Sequence, residues 1–262
     1  MSVLDAIVAR TRREVERRKR HGAPKTTPVD RRTAALAALR RTDELRVIAE
    51  VKFRSPSAGE IRSRRPGEAV RIANQYVDGG AAAVSVLADR ASFGGGVLDV
   101  RRVANAVSAP VLFKGFVVDP CQVHLAASVG ASLVLLLVRC LEQQQLQALV
   151  DATIELGLTP LVEAADEDEV TKALQTGAQC VGVNARDLHT FRVSPERAAS
   201  CLAKIPEDRI AIYMSGIRSA ADLRRVARGR ADVALIGEGL MRASEPGREL
   251  AAWREEARKD AR

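Results

Sequence analysis

Seven of the 41 basic residues in this chain are lysines, at positions 19, 25, 52, 114, 172, 204 and 259; the rest are arginines. Arginine is permanently charged, whereas a lysine can be tuned to release a proton. Two of the seven close short apolar runs, Val47-Ile-Ala-Glu-Val-Lys52 and Val111-Leu-Phe-Lys114. Two glutamates are placed in the same way: Glu50 in the first run, and Glu163 at the end of Thr159-Pro-Leu-Val-Glu163. Asn184 and Met214-Ser215-Gly216 end two further runs, and Ser85 lies within another. A charge that ends an apolar run is costly to bury unless it is paired or used. Brought together, two ammonium and two carboxylate groups could form structural ion pairs. They could also do acid–base chemistry on an anionic substrate, with Lys114 and Lys52 as acid or anion binder and Glu163 or Glu50 as base.

Such chemistry needs elements that carry these ends to one place. Eight apolar runs read as strands: 47–52, 83–87, 111–113, 133–138, 159–163, 180–184, 210–214 and 233–236. Their apolar residues are consecutive rather than alternate, as in parallel strands buried on both faces. Amphipathic stretches separate them, with helices expected over 66–78, 120–129, 141–156, 167–176 and 220–227. Gly79-Gly80, Gly130 and Gly177 are positioned to end three of these. Strand starts fall 21 to 36 residues apart. Eight βα units in a chain of this length predict a (β/α)₈ (TIM) barrel. A doubly wound sheet is disfavoured because no GxGxxG follows the first strand. Residues 1–45 form a helical extension, with helices expected over 2–20 and 33–41, and 46–262 form the barrel of a single-domain chain. Ser2 with Asp5 resembles a capping box, and His21-Gly-Ala-Pro24 stops the first helix.

In such barrels the C-terminal strand ends carry catalysis, and the loops after strands 7 and 8 commonly bind phosphate. Ser215-Gly216-Ile217 and Gly237-Glu238-Gly239 occupy those two loops. Either alone reads as a tight turn; together they point to a phosphate site made of backbone N–H groups. Ser55-Pro-Ser-Ala-Gly59, after the first strand, could add a hydroxyl or backbone contact.

Composition excludes several alternatives. No apolar run approaches the roughly 18 residues of a membrane span, and residues 1–20 are too charged for a signal peptide. Aromatics make up 3% of the chain, too few for a stacking surface on single-stranded nucleic acid. Residues 10–20 hold seven basic residues and two acids, which reads as a solvated helix face rather than a nucleic-acid or membrane patch. The four cysteines (121, 140, 180, 201) contain no CxxC. A reducing cytoplasm is therefore expected, with no metal site and no disulfide framework.

As a set, the motifs resemble the indole-3-glycerol phosphate synthase family. The likeness runs from Ile48-Ala-Glu-Val-Lys52 and Ser55-Pro-Ser-Ala-Gly59 through Ser85-Val-Leu-Ala-Asp89, Phe93-Gly-Gly and Leu112-Phe-Lys114. It continues through Leu161-Val-Glu163, Gly182-Val-Asn-Ala-Arg-Asp-Leu188, Ser215-Gly-Ile217 and Gly237-Glu-Gly-Leu-Met-Arg242. The resemblance implies a (β/α)₈ barrel with an extra N-terminal helix and no cofactor. The implied substrate is the phosphosugar–anthranilate adduct 1-(2-carboxyphenylamino)-1-deoxyribulose 5-phosphate. By the same resemblance, Lys114 is the general acid and Glu163 the carboxylate of dehydration, while Lys52, oriented by Glu50, holds anionic groups and donates a proton. Asn184 would bind hydroxyls, and Ser85 and Phe93 would line the aromatic end. Ser55, Gly216, Gly237 and Glu238 would surround the phosphate, Glu238 through its backbone. Arg186, Met214 and Ser215 complete the implied substrate-binding set. A monomer or weak homodimer is expected. A related barrel isomerase such as phosphoribosylanthranilate isomerase would need a cysteine at the end of a strand such as the first, whereas Cys180 begins the sixth.

The chain departs from the family pattern at Met214, where Glu is usual, and at Gly115, where Asp is usual. It also departs at Ala164-Ala165, where His is usual at 165, and more mildly at Ala185. Three readings remain open at this level: an ordinary synthase, a paralogue acting on a substituted anthranilate adduct, or a non-catalytic phosphosugar-binding barrel.

Overall fold

The computed structural model describes residues 3–20, 22, 26–187 and 190–258. Ser2 of the expected capping box, most of the 21–24 helix stop and Leu188 lie outside the described residues. Eight strands form one closed parallel barrel: β1 (Arg46–Val51), β2 (Ala83–Leu87), β3 (Val111–Lys114), β4 (Leu133–Leu137), β5 (Thr159–Ala164), β6 (Cys180–Asn184), β7 (Ile210–Met214) and β8 (Val233–Ile236). Each strand pairs with its sequence neighbours, and β1 closes the ring between β8 and β2.

The apolar runs look uniform in sequence but divide by alternation. Ile48, Leu112, Leu133, Leu135, Leu161, Ile212 and Leu235 point into the barrel, where long side chains fill the axis. Val47, Ala49, Val84, Val134, Val181 and Ala234 point outward beneath the helices, where smaller side chains allow close approach. Both faces are apolar, so the period of two is hidden in the sequence.

Among the described residues, the helices of eight residues or more are α1 (Val3–Arg20), α2 (Arg32–Leu39), α3 (Glu68–Asp78), α4 (Val97–Ala104), α5 (Pro120–Ser128), α6 (Gln143–Glu155), α7 (Glu167–Gln175), α8 (Pro195–Ala203), α9 (Ala220–Ala227) and α10 (Pro246–Arg258). The anticipated helices agree to within two residues at each end. Asp119, Asp166, Ser194 and Ser219 cap the N-termini of α5, α7, α8 and α9, accepting backbone N–H groups.

The N-terminal extension seals both ends of the barrel. At the base, Ala35 and Leu39 of α2 are fully buried against Ala83, Leu133, Cys180, Ile210 and Val233 at the strand starts. At the mouth, α1 lies across the loops after β2 and β3. Arg10 pairs with Asp89 at 2.6 Å, Lys19 with Asp119 at 2.5 Å, and Val15 packs with Val118 and Cys121. The basic run is thus divided: Arg12, Arg13, Arg17, Arg18 and Arg20 are solvated as expected, while Arg10 and Lys19 fasten the helix to the barrel.

Candidate active site

Strand register brings the chemistry-bearing ends together. Glu50 lies beside Ser85, Leu87 beside Lys114, Leu137 beside Glu163, and Asn184 beside Met214. Lys52 stands just past β1, while Lys114 lies within β3, one residue further into the strand than expected. All four charged groups line one pocket at the C-terminal mouth.

Two pairs organise it. In the first, Lys52 Nζ donates to Glu50 Oε1 at 2.7 Å. Ser85 Oγ donates to Glu50 Oε2 at 3.4 Å, and the Tyr76 hydroxyl donates to the Glu50 backbone oxygen at 3.3 Å. Burial alone would raise the Glu50 carboxyl, but the Lys52 and Lys114 ammonium groups outweigh it and hold it below the usual carboxylate range. Gly237 at the end of β8 makes room for this pair, because a Cβ there would lie 2.6 Å from Glu50 Oε1 and 3.0 Å from Lys52 Nζ.

In the second pair, Lys114 Nζ faces Glu163 Oε2 at 3.5 Å. Asn184 Nδ2 donates to Glu163 Oε1 at 2.8 Å, and the Arg186 backbone N–H donates to Asn184 Oδ1 at 3.0 Å. Glu163 Oε2 is buried without a hydrogen-bond partner, leaving a carboxylate oxygen toward the lysine. One oxygen is fixed and the other is available for a proton, which is the geometry a general base requires.

The rest of the pocket divides by polarity. Ser55, Arg186, Ser215, Gly216, Gly237 and Glu238 line one part. Ser215 and Gly216 adopt left-handed φ values of 72° and 81°. The Glu238 carboxylate is taken by Arg242 at 2.9 Å, which leaves its backbone for an anion. Burial lowers the Arg186 pKa, and Glu238 works against that shift. Apolar walls come from Phe93 and Phe116, whose ring centroids are 6.2 Å apart, and from Leu135, Leu137, Met214 and Leu235. Among the described residues, no three His, Cys, Asp or Glu side chains gather as metal ligands would.

One expected placement changes. Ser85, anticipated at the aromatic end, is fully buried and does not line the pocket; its hydroxyl supports Glu50 from below. Asn184, anticipated on substrate hydroxyls, already spends one amide hydrogen on Glu163. Sequence reasoning missed Leu4 and Ile7 of α1, which line the pocket, and Phe116 and Phe191. The signals were present. Leu4, Ile7, Thr11 and Val15 form a stripe that a charged helix must bury somewhere, and three of the chain's five phenylalanines border the pocket.

A family model described as indole-3-glycerol phosphate synthase matches residues 4–252. A protein of that name from Leifsonia xyli subsp. xyli is 45% identical over 220 residues, covering 84% of this chain and 84% of the relative. One of the same name from Mycolicibacterium vanbaalenii is 40% identical over 254 residues, covering 94% and 91%. Among solved structures, 3-hexulose-6-phosphate synthase from Salmonella typhimurium aligns with a TM-score of 0.66 over 81% of this chain and 98% of that one. At 16% identity, that likeness supports the barrel fold alone.

Proposed function

The chain belongs to the indole-3-glycerol phosphate synthase family, and from that premise we propose how its pocket converts 1-(2-carboxyphenylamino)-1-deoxyribulose 5-phosphate to indole-3-glycerol phosphate. The ring carbon that bears the carboxylate attacks the ketone carbon. As the new carbon–carbon bond forms, the carbonyl electron pair moves to oxygen, which takes a proton from the Lys114 ammonium. The carbon–carboxylate bond then breaks, carbon dioxide leaves, and its electron pair restores the aromatic ring. Finally, Lys52 supplies the proton with which the hydroxyl departs as water, and Glu163 takes a proton from the neighbouring carbon to complete the indole. Lys52 and Glu163 then exchange these protons with solvent, Lys114 is reprotonated, and one proton is consumed in all.

The observation that carries these roles is the Lys114–Glu163 pair, an acid and a base 3.5 Å apart whose facing carboxylate oxygen has no hydrogen bond. Arginine would be a poor acid in place of Lys114, because its guanidinium does not release its proton at working pH. In this reading Glu50 orients Lys52, and Asn184 fixes Glu163 while offering its remaining N–H to substrate. Ser55, Arg186 and the backbone of Ser215-Gly216 and Gly237-Glu238 hold the phosphate, and Phe93 borders the aryl ring. We place the enzyme in the cytoplasm, a reading supported by four cysteines that are all free.

Rapid quenching with mass spectrometry tests the division of roles. Glu163→Gln is expected to release carbon dioxide and accumulate the ring-closed alcohol without indole fluorescence. Lys114→Met is expected to do neither. The assignment fails if Glu163→Gln dehydrates at the wild-type rate or if Lys114→Met closes the ring normally.

A further inference from the structure

We propose that Met214 makes this pocket selective for a substrate whose aryl ring carries a small apolar substituent, a methyl group or a halogen, over the unsubstituted ring. The inference rests on the reading of the reaction given above.

Met214 ends β7 and is buried, 1% exposed, yet it lines the pocket. Its sulfur lies over Gly182 of the neighbouring strand. A Cβ at that position would come within 2.5 Å of Met214 Sδ and 3.0 Å of Leu161 Cδ2. The thioether is therefore tucked into a notch that a glycine provides, low in the barrel. The register sets Met214 beside Asn184 on one side and Leu235 on the other. An apolar wall thus begins where the hydrogen-bonded Asn184–Glu163 pair ends. Leu135 and Leu137 of β4 belong to the same interior cluster and line the pocket from the other side of the Glu163 and Asn184 strands.

A polar ring substituent against this wall would give up water without gaining a partner. A methyl group or chlorine would instead gain burial, and one such group in an apolar pocket changes kcat/KM by about tenfold or more. Methionine suits the position because its unbranched, polarizable side chain can shift rotamer to make room.

The test is a substrate series: the unsubstituted adduct, and adducts with methyl or chlorine at each free ring position. Each is assayed by kcat/KM on wild type, Met214→Glu and Met214→Ala. At least one apolar-substituted adduct should exceed the unsubstituted one by about tenfold on wild type. That preference should invert in Met214→Glu and move to larger substituents in Met214→Ala. If the carboxylate of Met214→Glu unfolds the barrel, Met214→Gln gives the same comparison without a charge. An unsubstituted optimum on wild type, or a preference unchanged by the polar variants, would overturn the proposal.

Absence of turnover on every adduct would overturn the reaction assigned above rather than this inference. Dissociation constants for indole-3-glycerol phosphate and its methyl and chloro analogues would then carry the comparison. Equal ratios in wild type and variants would overturn the proposal.

Discussion

Glu50 keeps its charge in a buried position because two ammonium groups face it. Its native pKa is lowered, so ionised Glu50 contributes stability that is fully present above its unfolded value near 4.5 and is lost as pH falls through the lower native value. The stability difference between wild type and Glu50→Gln should accordingly rise with pH through the acid range and flatten above about pH 4.5, as read by urea unfolding. Gly237→Ala should lower kcat/KM at least about tenfold while the far-ultraviolet spectrum is retained. Its Cβ would push into the Glu50–Lys52 pair, and small displacements of positioned groups cost rate heavily. The lysines and glutamates were legible in the sequence because charges closing apolar runs are rare and costly. Ser85 was not placed correctly, because a hydroxyl within a buried strand gives no sign of whether it faces substrate or a neighbouring carboxylate.

The two N-terminal helices illustrate what spacing alone leaves open. Their existence followed from periodicity and stop signals, but a stripe such as Leu4, Ile7 and Val15 does not say which end of a barrel it covers. The structure answers through Arg10–Asp89 and Lys19–Asp119, partners 79 and 100 residues away in sequence. Since Leu4 and Ile7 border the pocket, the double variant Leu4→Ala/Ile7→Ala should raise KM with a smaller change in kcat, the pattern of lost uniform binding in steady-state assays. At the opposite end, Leu39→Ala should cost about 2–5 kcal/mol of stability, as expected for a fully buried leucine. It should leave kcat unchanged at temperatures where the protein is folded, because Leu39 touches only the barrel base.

At the scale of the molecule, eight apolar runs with starts 21 to 36 residues apart were enough to anticipate the closed barrel and the end at which chemistry gathers. The inward–outward alternation was not readable, because both faces are apolar along most of each strand. The contribution of α1 to the pocket was also hidden, since it depends on packing between distant segments. About half of the +8 net charge lies on α1, where seven basic residues face three acids, while in the pocket two lysines balance two glutamates beside Arg186. We propose that this pocket closes, decarboxylates and dehydrates the arylamino sugar phosphate through Lys114 and Glu163. Steady-state indole fluorescence with the carboxyphenylamino-deoxyribulose phosphate checks these roles. Wild type should turn over, and Lys114→Met and Glu163→Gln should each lose about a hundredfold or more in kcat while remaining folded. Wild-type rates from either variant would remove that residue from the reaction.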